Sequence, residues 1–258
     1  MATARFGGPF RVPYTHRMPI DRIVSLVPSL TELVFWLGRG GSLVGRTKFC
    51  DAPVEAARIE AVGGTKDPDV ARIIALAPAL VLANREENRR EDVEALRAAG
   101  LTVLVTDPET VVDAVAMIRD IARLLDAAER GETLARDIEE LLAQPPPARR
   151  PRVFVAVWKR PLLGLGRDAY GHDLITVAGA ENVLAARPRY PEVTMDGLRA
   201  LTPDLVLLPD EPYRFGAEDA RAFAAIAPSR LVDGRLLWWY GPRIPEAIRT
   251  LRELFAAP

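Results

Sequence analysis

The sequence predicts an α/β protein made of two Rossmann-like lobes joined by a single long helix. Three observations carry that expectation. Short apolar runs alternate with stretches of helical period on both sides of the chain's middle. Residues 110–147 are helical in pattern throughout and close on Pro145, Pro146 and Pro147, which cannot continue a helix. The two flanks also resemble each other: Leu76-Ala77-Pro78-Ala79-Leu80-Val81-Leu82 returns as Leu201-Thr202-Pro203-Asp204-Leu205-Val206-Leu207, and Arg22-Ile23-Val24 as Arg152-Val153-Phe154. The boundaries read as an irregular arm over 1–19, a first lobe over 20–109, a helical pair over 110–147 and a second lobe over 148–258.

In chain order, Ile23 to Val27 is a buried strand, and Pro28-Ser29 opens a helix that Gly38 ends. Residues 43–45 and 61–63 read as short strands leading into the loops 46–52 and 64–67. Asp67-Pro68 starts a helix to Ala77, Leu80 to Ala83 is a strand, 86–99 a helix closed by Gly100, and 102–105 a strand. Within the helical stretch, the stripe Val111, Val115, Ile118, Ile121, Leu125 points away from Leu134, Ile138, Leu141, so one straight helix cannot bury both. Two helices with a break near Asp126 are expected, opened by Thr110/Asp113 and Asp126/Glu129 as capping boxes. The second, at 127–143, would bridge the lobes over roughly 25 Å. The pattern then restarts with a strand at 153–157, a glycine-rich loop 164–171, a helix at 173–178, a short strand at 182–184, a helix capped by Thr194, a strand at 205–208, a helix at 217–225, a strand at 230–232 and a last helix from Pro242 to about Ala256. A closed eight-stranded barrel of similar length is the alternative fold. Two consecutive helices and a triple proline at the midpoint argue against it.

With 258 residues and 49% hydrophobic content the chain can bury one large core or two ordinary ones. A net charge of −1 supplies no pull on a phosphate backbone, so nucleic acid is not expected as a partner. The single cysteine, Cys50, rules out an internal disulfide and a multi-cysteine zinc site. The first 19 residues contain no apolar run of signal-peptide length, and Cys50 lies too deep for a lipoprotein anchor. Read as written, the chain is expected in the cytoplasm, with a periplasmic or membrane-associated location as the alternative if synthesis starts upstream.

No phosphate loop, GxGxxG, GxSxG or HExxH occurs, which argues against an enzyme, and no catalytic residue, metal ligand or cofactor is assigned. Of the two histidines, His16 lies in the arm and His172 reads as a structural helix-start residue. Aromatic residues gather in the second lobe, several just after strands: Trp158-Lys159-Arg160, Pro212-Tyr213-Arg214-Phe215 and Trp238-Trp239-Tyr240-Gly241-Pro242-Arg243. Loops at strand ends form clefts, and flat side chains there can stack on a planar ligand. In an extended segment neighbours face opposite ways, so one of Trp238 and Trp239 is expected inside and the other outside; Trp239 is placed at the ligand, with Trp238 as the alternative. Lys48, Lys66, Arg214 and Arg243 could meet carboxylates.

The segment Arg22-Ile23-Val24-Ser25-Leu26-Val27-Pro28-Ser29-Leu30-Thr31-Glu32-Leu33, with Gly45, 73–81, Gly166-Arg167-Asp168, Gly179-Ala180-Glu181-Asn182-Val183 and Tyr190-Pro191-Glu192-Val193, resembles the cobalamin- and ferric-siderophore-binding class of ABC-importer substrate-binding proteins, which have a helical backbone between two lobes. The resemblance implies a monomeric receptor holding a corrinoid, siderophore or haem-like metal chelate between the lobes without turnover, with an ABC permease as partner. It places ligand contacts at Phe49, Lys66, Asn84 and Tyr190, of which Lys66 and Asn84 stand where such receptors carry aromatics. Lys48, Trp158, Tyr213, Trp239, Tyr240 and Arg243 complete the candidate set. Permease docking through one acidic residue per lobe falls on Asp196 in the second lobe; the first-lobe position is Ala71, with Asp69 and Asp67 beside it. The competing readings are an intracellular relative that stores or senses a chelate, and a chelatase-like enzyme on the same framework.

Overall fold

A computed structural model describes residues 20–257. The expected irregular arm at 1–19, and His16 within it, lie outside the described residues. The chain separates into two compact units: residues up to Asp107 with Asp120–Gly131, and Pro108–Arg119 with Glu132 onward.

The first unit is built on β1 (Ile23–Ser25), β2 (Leu43–Arg46), β3 (Leu80–Asn84) and β4 (Val103–Thr106), all parallel, in the order β2-β1-β3-β4. All three residues of β1 and all five of β3 are buried, as a central parallel strand covered on both faces requires. Helix α1 (Pro28–Trp36) starts with proline at its first turn and stops at Gly38, whose φ of 79° lets its N–H reach the Phe35 carbonyl. Helices α2 (Val70–Ala75) and α3 (Arg90–Ala98) bury Ile73, Val93 and Leu96 against Val24, Val81, Ala83 and Val103. The expected strand at 61–63 is only a pair of isolated bridges, Arg46 with Ala61 and Gly63 with Pro68. Gly63, at φ 94°, folds the chain back on Asp67 within five residues, leaving no length for a ladder.

The helical stretch is two helices, α4 (Val111–Leu124) and α5 (Ala128–Ala143), and both are divided between the units. Asp126 sits between them at φ 54°, a left-handed value that no helix interior adopts, so the break falls where the opposed apolar stripes require it. Thr110 and Asp113 form the expected reciprocal cap: each side chain accepts the other's backbone N–H at 3.0 Å. Arg119 of α4 joins α5 twice, at 2.8 Å to Glu132 and 2.7 Å to Glu139.

The second unit repeats the plan. Strand β5 (Arg152–Lys159) pairs in parallel with β8 (Leu205–Pro209), and β8 with β9 (Ser229–Val232). The other edge of β5 is shared by β7 (Glu181–Asn182), parallel along its first half, and β6 (Leu162–Gly164), antiparallel along its second. Substituting β5 for β1, β7 for β2, β8 for β3 and β9 for β4 reproduces the order of the first sheet. Two separate sheets of four and five strands exclude the closed barrel. Helices α6 (Tyr170–Val177), α7 (Met195–Ala200) and α8 (Ala217–Phe223) cover the sheet, with Leu198 and Phe223 packed on Phe154, Val206 and Leu208. A four-residue helix α9 (Arg235–Trp238), not expected from the sequence, precedes the last helix α10 (Ile244–Ala256).

Candidate functional site

In open parallel sheets, ligand-facing loops leave the carboxyl ends of the strands. In the first unit these are the loops after β2, β3 and β4. Lys48 and Phe49 follow β2; Phe49 is 53% exposed and the Lys48 ammonium lies 5.2 Å from its ring centroid, close enough for a cation–π contact. Lys48 also approaches Asp67 at 3.8 Å, and its N–H bonds the Gly63 carbonyl, which joins this loop to 63–68. Lys66 reaches the Glu86 carbonyl at 2.6 Å and thereby ties 63–68 to the loop after β3.

Asn84, expected at a ligand, is 3% exposed. Its Nδ2 donates to the Thr106 carbonyl and hydroxyl, and its Oδ1 accepts from the backbone of Glu86 and Glu87. The amide is used up in shaping the loop and joining β3 to β4. A second amide, Asn88, was not singled out from the sequence: its Oδ1 accepts from the Asn84 N–H while its Nδ2 donates to the carbonyls of Leu26 and Thr65. Together the two link the loops after β1 and β3 with 63–68. The signal was two amides four residues apart immediately after a buried strand. Cys50 is buried between the hydroxyls of Thr31 and Thr47, each 3.1 Å away, and burial raises its thiol pKa.

In the second unit Trp158, at the end of β5, is 41% exposed and meets Tyr213 edge-on at 5.4 Å. Tyr213 leans on Phe215 at 4.8 Å, Phe215 on Phe223 at 6.4 Å and Phe223 on Phe154 at 6.3 Å, so the surface tryptophan is anchored through rings into the core. Lys159 pairs with Asp219 at 2.5 Å, which raises the lysine pKa. Tyr190 is half-buried on the loop that pairs with 164–167, where Gly166 donates to the Arg189 carbonyl at 2.7 Å and Arg167 to the Arg187 carbonyl at 2.8 Å. A Cβ on Gly166 would stand 2.2 Å from the Arg187 oxygen, so only glycine permits that approach.

The Trp238-Trp239 pair is arranged differently from the expectation. Trp238 ends α9, so the alternation of an extended strand does not apply. It is half-buried and donates from its indole to the Glu211 carbonyl at 2.7 Å. Trp239, expected outside, is 6% exposed, and the guanidiniums of Arg235 and Arg243 lie 5.0 and 5.1 Å from its ring centroid. Tyr240 is also 6% exposed, edge-on to Tyr170 at 5.6 Å. Burial raises the Tyr170 hydroxyl's pKa, and that hydroxyl has no hydrogen-bond partner among the described residues. Glu211 is pushed up to about 6 by burial, against the lowering effects of Arg235 and the Trp239 N–H. Arg243 is half-buried at the start of α10.

Both docking candidates stand at a helix start, but not at the same position. Asp69 caps α2 by accepting from the Arg72 N–H at 2.9 Å, and Asp196 lies in the first turn of α7, paired with Arg199 at 2.6 Å and 93% exposed. His172 is half-buried in α6 with Nδ1 3.0 Å from the Asn182 amide, and burial lowers its pKa. Among the described residues no group of three or more His, Cys, Asp or Glu side chains could hold a metal ion, and no helix is long and apolar enough to cross a membrane.

Two sheets whose parallel strands follow one order, with exposed aromatics and cations at the strands' carboxyl ends, define a two-unit ligand-binding protein. The periplasmic binding protein family model matches residues 23–208, and the chain belongs to that family. The vitamin B12-binding protein of Salmonella typhimurium is 30% identical over 192 residues, 72% of this chain and 71% of that protein. The fold matches the periplasmic vitamin B12-binding protein BtuF of Vibrio cholerae with a TM-score of 0.76 at 20% identity, covering 92% of this chain and 97% of that one. The periplasmic haem-binding protein BhuT, solved with two haems, matches with a TM-score of 0.74 at 28% identity over 91% of this chain and 97% of that one.

Proposed function

We propose that this protein is the substrate-binding component of an ABC importer and holds a metal chelate, a corrinoid, haem or ferric siderophore, without chemical turnover. The observation that carries the reading is Trp158: a large aromatic held 41% exposed at a strand's carboxyl end by a train of rings, as a platform for a planar ligand needs. Phe49 with Lys48 offers a second exposed aromatic with a cation beside it. Relatives named for vitamin B12 and haem support the ligand class, and their periplasmic setting supports a location outside the inner membrane. Lys66, Tyr190, Tyr213 and Arg243 join these as contacts, and Trp239 and Tyr240 as the wall behind Arg243. Asp196 and Asp69 are the docking residues for the permease, and the receptor acts as a monomer.

The test is titration with cyanocobalamin, haemin and a ferric hydroxamate, followed by tryptophan fluorescence and by the ligands' visible bands. Saturable quenching by one of them is expected, with the ligand recovered unchanged. Failure of all three to bind, or release of an altered chelate, would overturn the reading. Fractionation of the native cells tests the location; recovery with the cytosol would contradict it.

A further inference from the structure

A single buried amide joins α6 to the loop that carries Tyr190. Asn182, at the end of β7, is 3% exposed. Its Oδ1 accepts from the Leu184 N–H at 2.9 Å, and its Nδ2 donates to the Leu165 carbonyl at 3.0 Å. The other Nδ2 hydrogen meets His172 Nδ1, also at 3.0 Å. Turning the amide over would set its oxygen against the Leu165 carbonyl and its nitrogen against the Leu184 N–H, so these two backbone groups fix its orientation. Nδ1 must then accept, and the neutral ring carries its proton on Nε2. Both backbone groups stand at the roots of the Tyr190 loop. Leu184 is where 185–191 departs, and its carbonyl accepts from the Arg187 N–H at 2.9 Å. Leu165 leads into the segment that pairs with that loop, where Gly164 donates to the Pro191 carbonyl at 3.1 Å and Arg189 to the Arg167 carbonyl at 2.6 Å. Asp168 and Arg189 have φ of 63° and 55°, left-handed values that such residues keep only where their surroundings enforce them.

We infer that His172 is a positioning residue: in its neutral form it holds Asn182, and through it the loop bearing Tyr190, so that ligand affinity falls when Nδ1 takes up a proton. The inference rests on the chelate-binding reading, in which Tyr190 is a contact, and adds to it a residue that governs that contact. A proton on Nδ1 sets N–H against N–H across 3.0 Å, and the amide cannot turn to meet it without giving up both backbone bonds. Among the described residues the charges acting on the ring are Asp173 on its own helix and Asp168 on the glycine-rich segment, both favouring the protonated form. From β7 the facing group is the uncharged Asn182 amide, and α9 and α10, which also pack on α6, add no charge to these. Burial favours the neutral ring and prevails.

Two measurements on the full-length protein test this. In the first, without ligand, the imidazole nitrogens are observed by NMR; the chain has two histidines, so the set lost in His172→Asn is that of His172. At pH 7.5 Nε2 should carry the proton and Nδ1 none. On acidification the amides of Leu165 and Leu184 should shift with the same midpoint as the His172 ring, below pH 6.5, and should stay put in His172→Asn, whose Oδ1 replaces Nδ1 as acceptor. In the second, cyanocobalamin and ferrichrome, neither of which changes charge between pH 7.5 and 5, are titrated at both values. Wild-type affinity for a probe that binds should fall about three- to tenfold at pH 5, the size of one lost hydrogen bond. His172→Phe, which keeps a ring without the acceptor, should bind weakly at both. His172→Asn should bind more tightly than His172→Phe and equally at both, with circular dichroism showing each variant folded. A proton on Nδ1 at pH 7.5, amides indifferent to the ring's titration, or wild-type affinity equal at the two pH values would overturn the inference. Failure of both probes to bind overturns it too, and the amides then locate the fault: titration with His172 puts it in the chelate reading, and indifference puts it in His172 itself.

Discussion

At the scale of the residue, Trp158 and Trp239 divide between them what a binding aromatic and a packed one each do. Trp158→Ala should leave the unfolding midpoint within a degree or two of wild type, because the ring is 41% exposed, and weaken a planar chelate by about 1 to 3 kcal/mol. Trp239→Ala removes a side chain only 6% exposed and should cost about 3 kcal/mol of stability, read as a lowered urea midpoint. A Trp239→Ala protein as stable as the parent would contradict the packing described. Glu211 adds a pH dependence of definite sign. Its folded pKa of about 6 lies above the ordinary 4.5, so its contribution to stability is complete below pH 4.5 and is lost as pH rises through 6. Allowing for its partial exposure, wild type should lose about 1 kcal/mol across that window from this group, and Glu211→Gln should not. Urea unfolding at pH 4.5 and 7.5 measures the difference. None of this was legible in the sequence: orienting Trp238 and Trp239 required a four-residue helix too short to show a period, and Glu211 lies 28 residues from Trp239 along the chain. Trp158 was legible because it directly follows the apolar run 153–157, and Phe49 was pointed to only by the family resemblance.

At the scale of the element, the pair α4 and α5 shows what pattern reading can recover. Opposed stripes cannot share one helix axis, and the break, the Thr110 cap and the proline stop all fall where that geometry puts them. The ion pairs of Arg119 with Glu132 and Glu139 were not visible, because they depend on how the two helices turn back on each other. Arg119→Gln should lower stability by about 0.5 to 1 kcal/mol, less in 0.5 M salt, since the ion pairs are partly exposed. The Arg119 contacts hold the Glu139 pKa below its ordinary 4.5, so the stabilisation is present above pH 4.5 and lost as pH falls beneath it. The difference between wild type and Arg119→Gln in thermal unfolding should therefore shrink as pH falls below 4.5. Gly166→Ala tests a loop rather than a helix. Its Cβ would press on the Arg187 carbonyl, so loss of the 166–189 pairing, seen as faster amide exchange at Gly166 and Arg189, is expected.

At the scale of the whole molecule, duplication was readable because both copies keep the same helix-turn-strand heptad, and the strand order followed only once the sheets were seen. Strands with both faces covered should open last. Amides of β3 and β8, central in their sheets, are expected to exchange slowest, and those of β9, whose residues are half-buried or exposed, among the fastest; the reverse order in hydrogen exchange would contradict the topology. Cys50 has a practical consequence. It is the chain's only thiol, it is 0% exposed, and Thr31 and Thr47 occupy its sulfur. A buried thiol of raised pKa reacts slowly with maleimides at neutral pH, so a cysteine placed at exposed Val54 or Leu231 would take a dye alone. The wild-type chain is thus already a clean starting point for a fluorescent sensor of its own ligand.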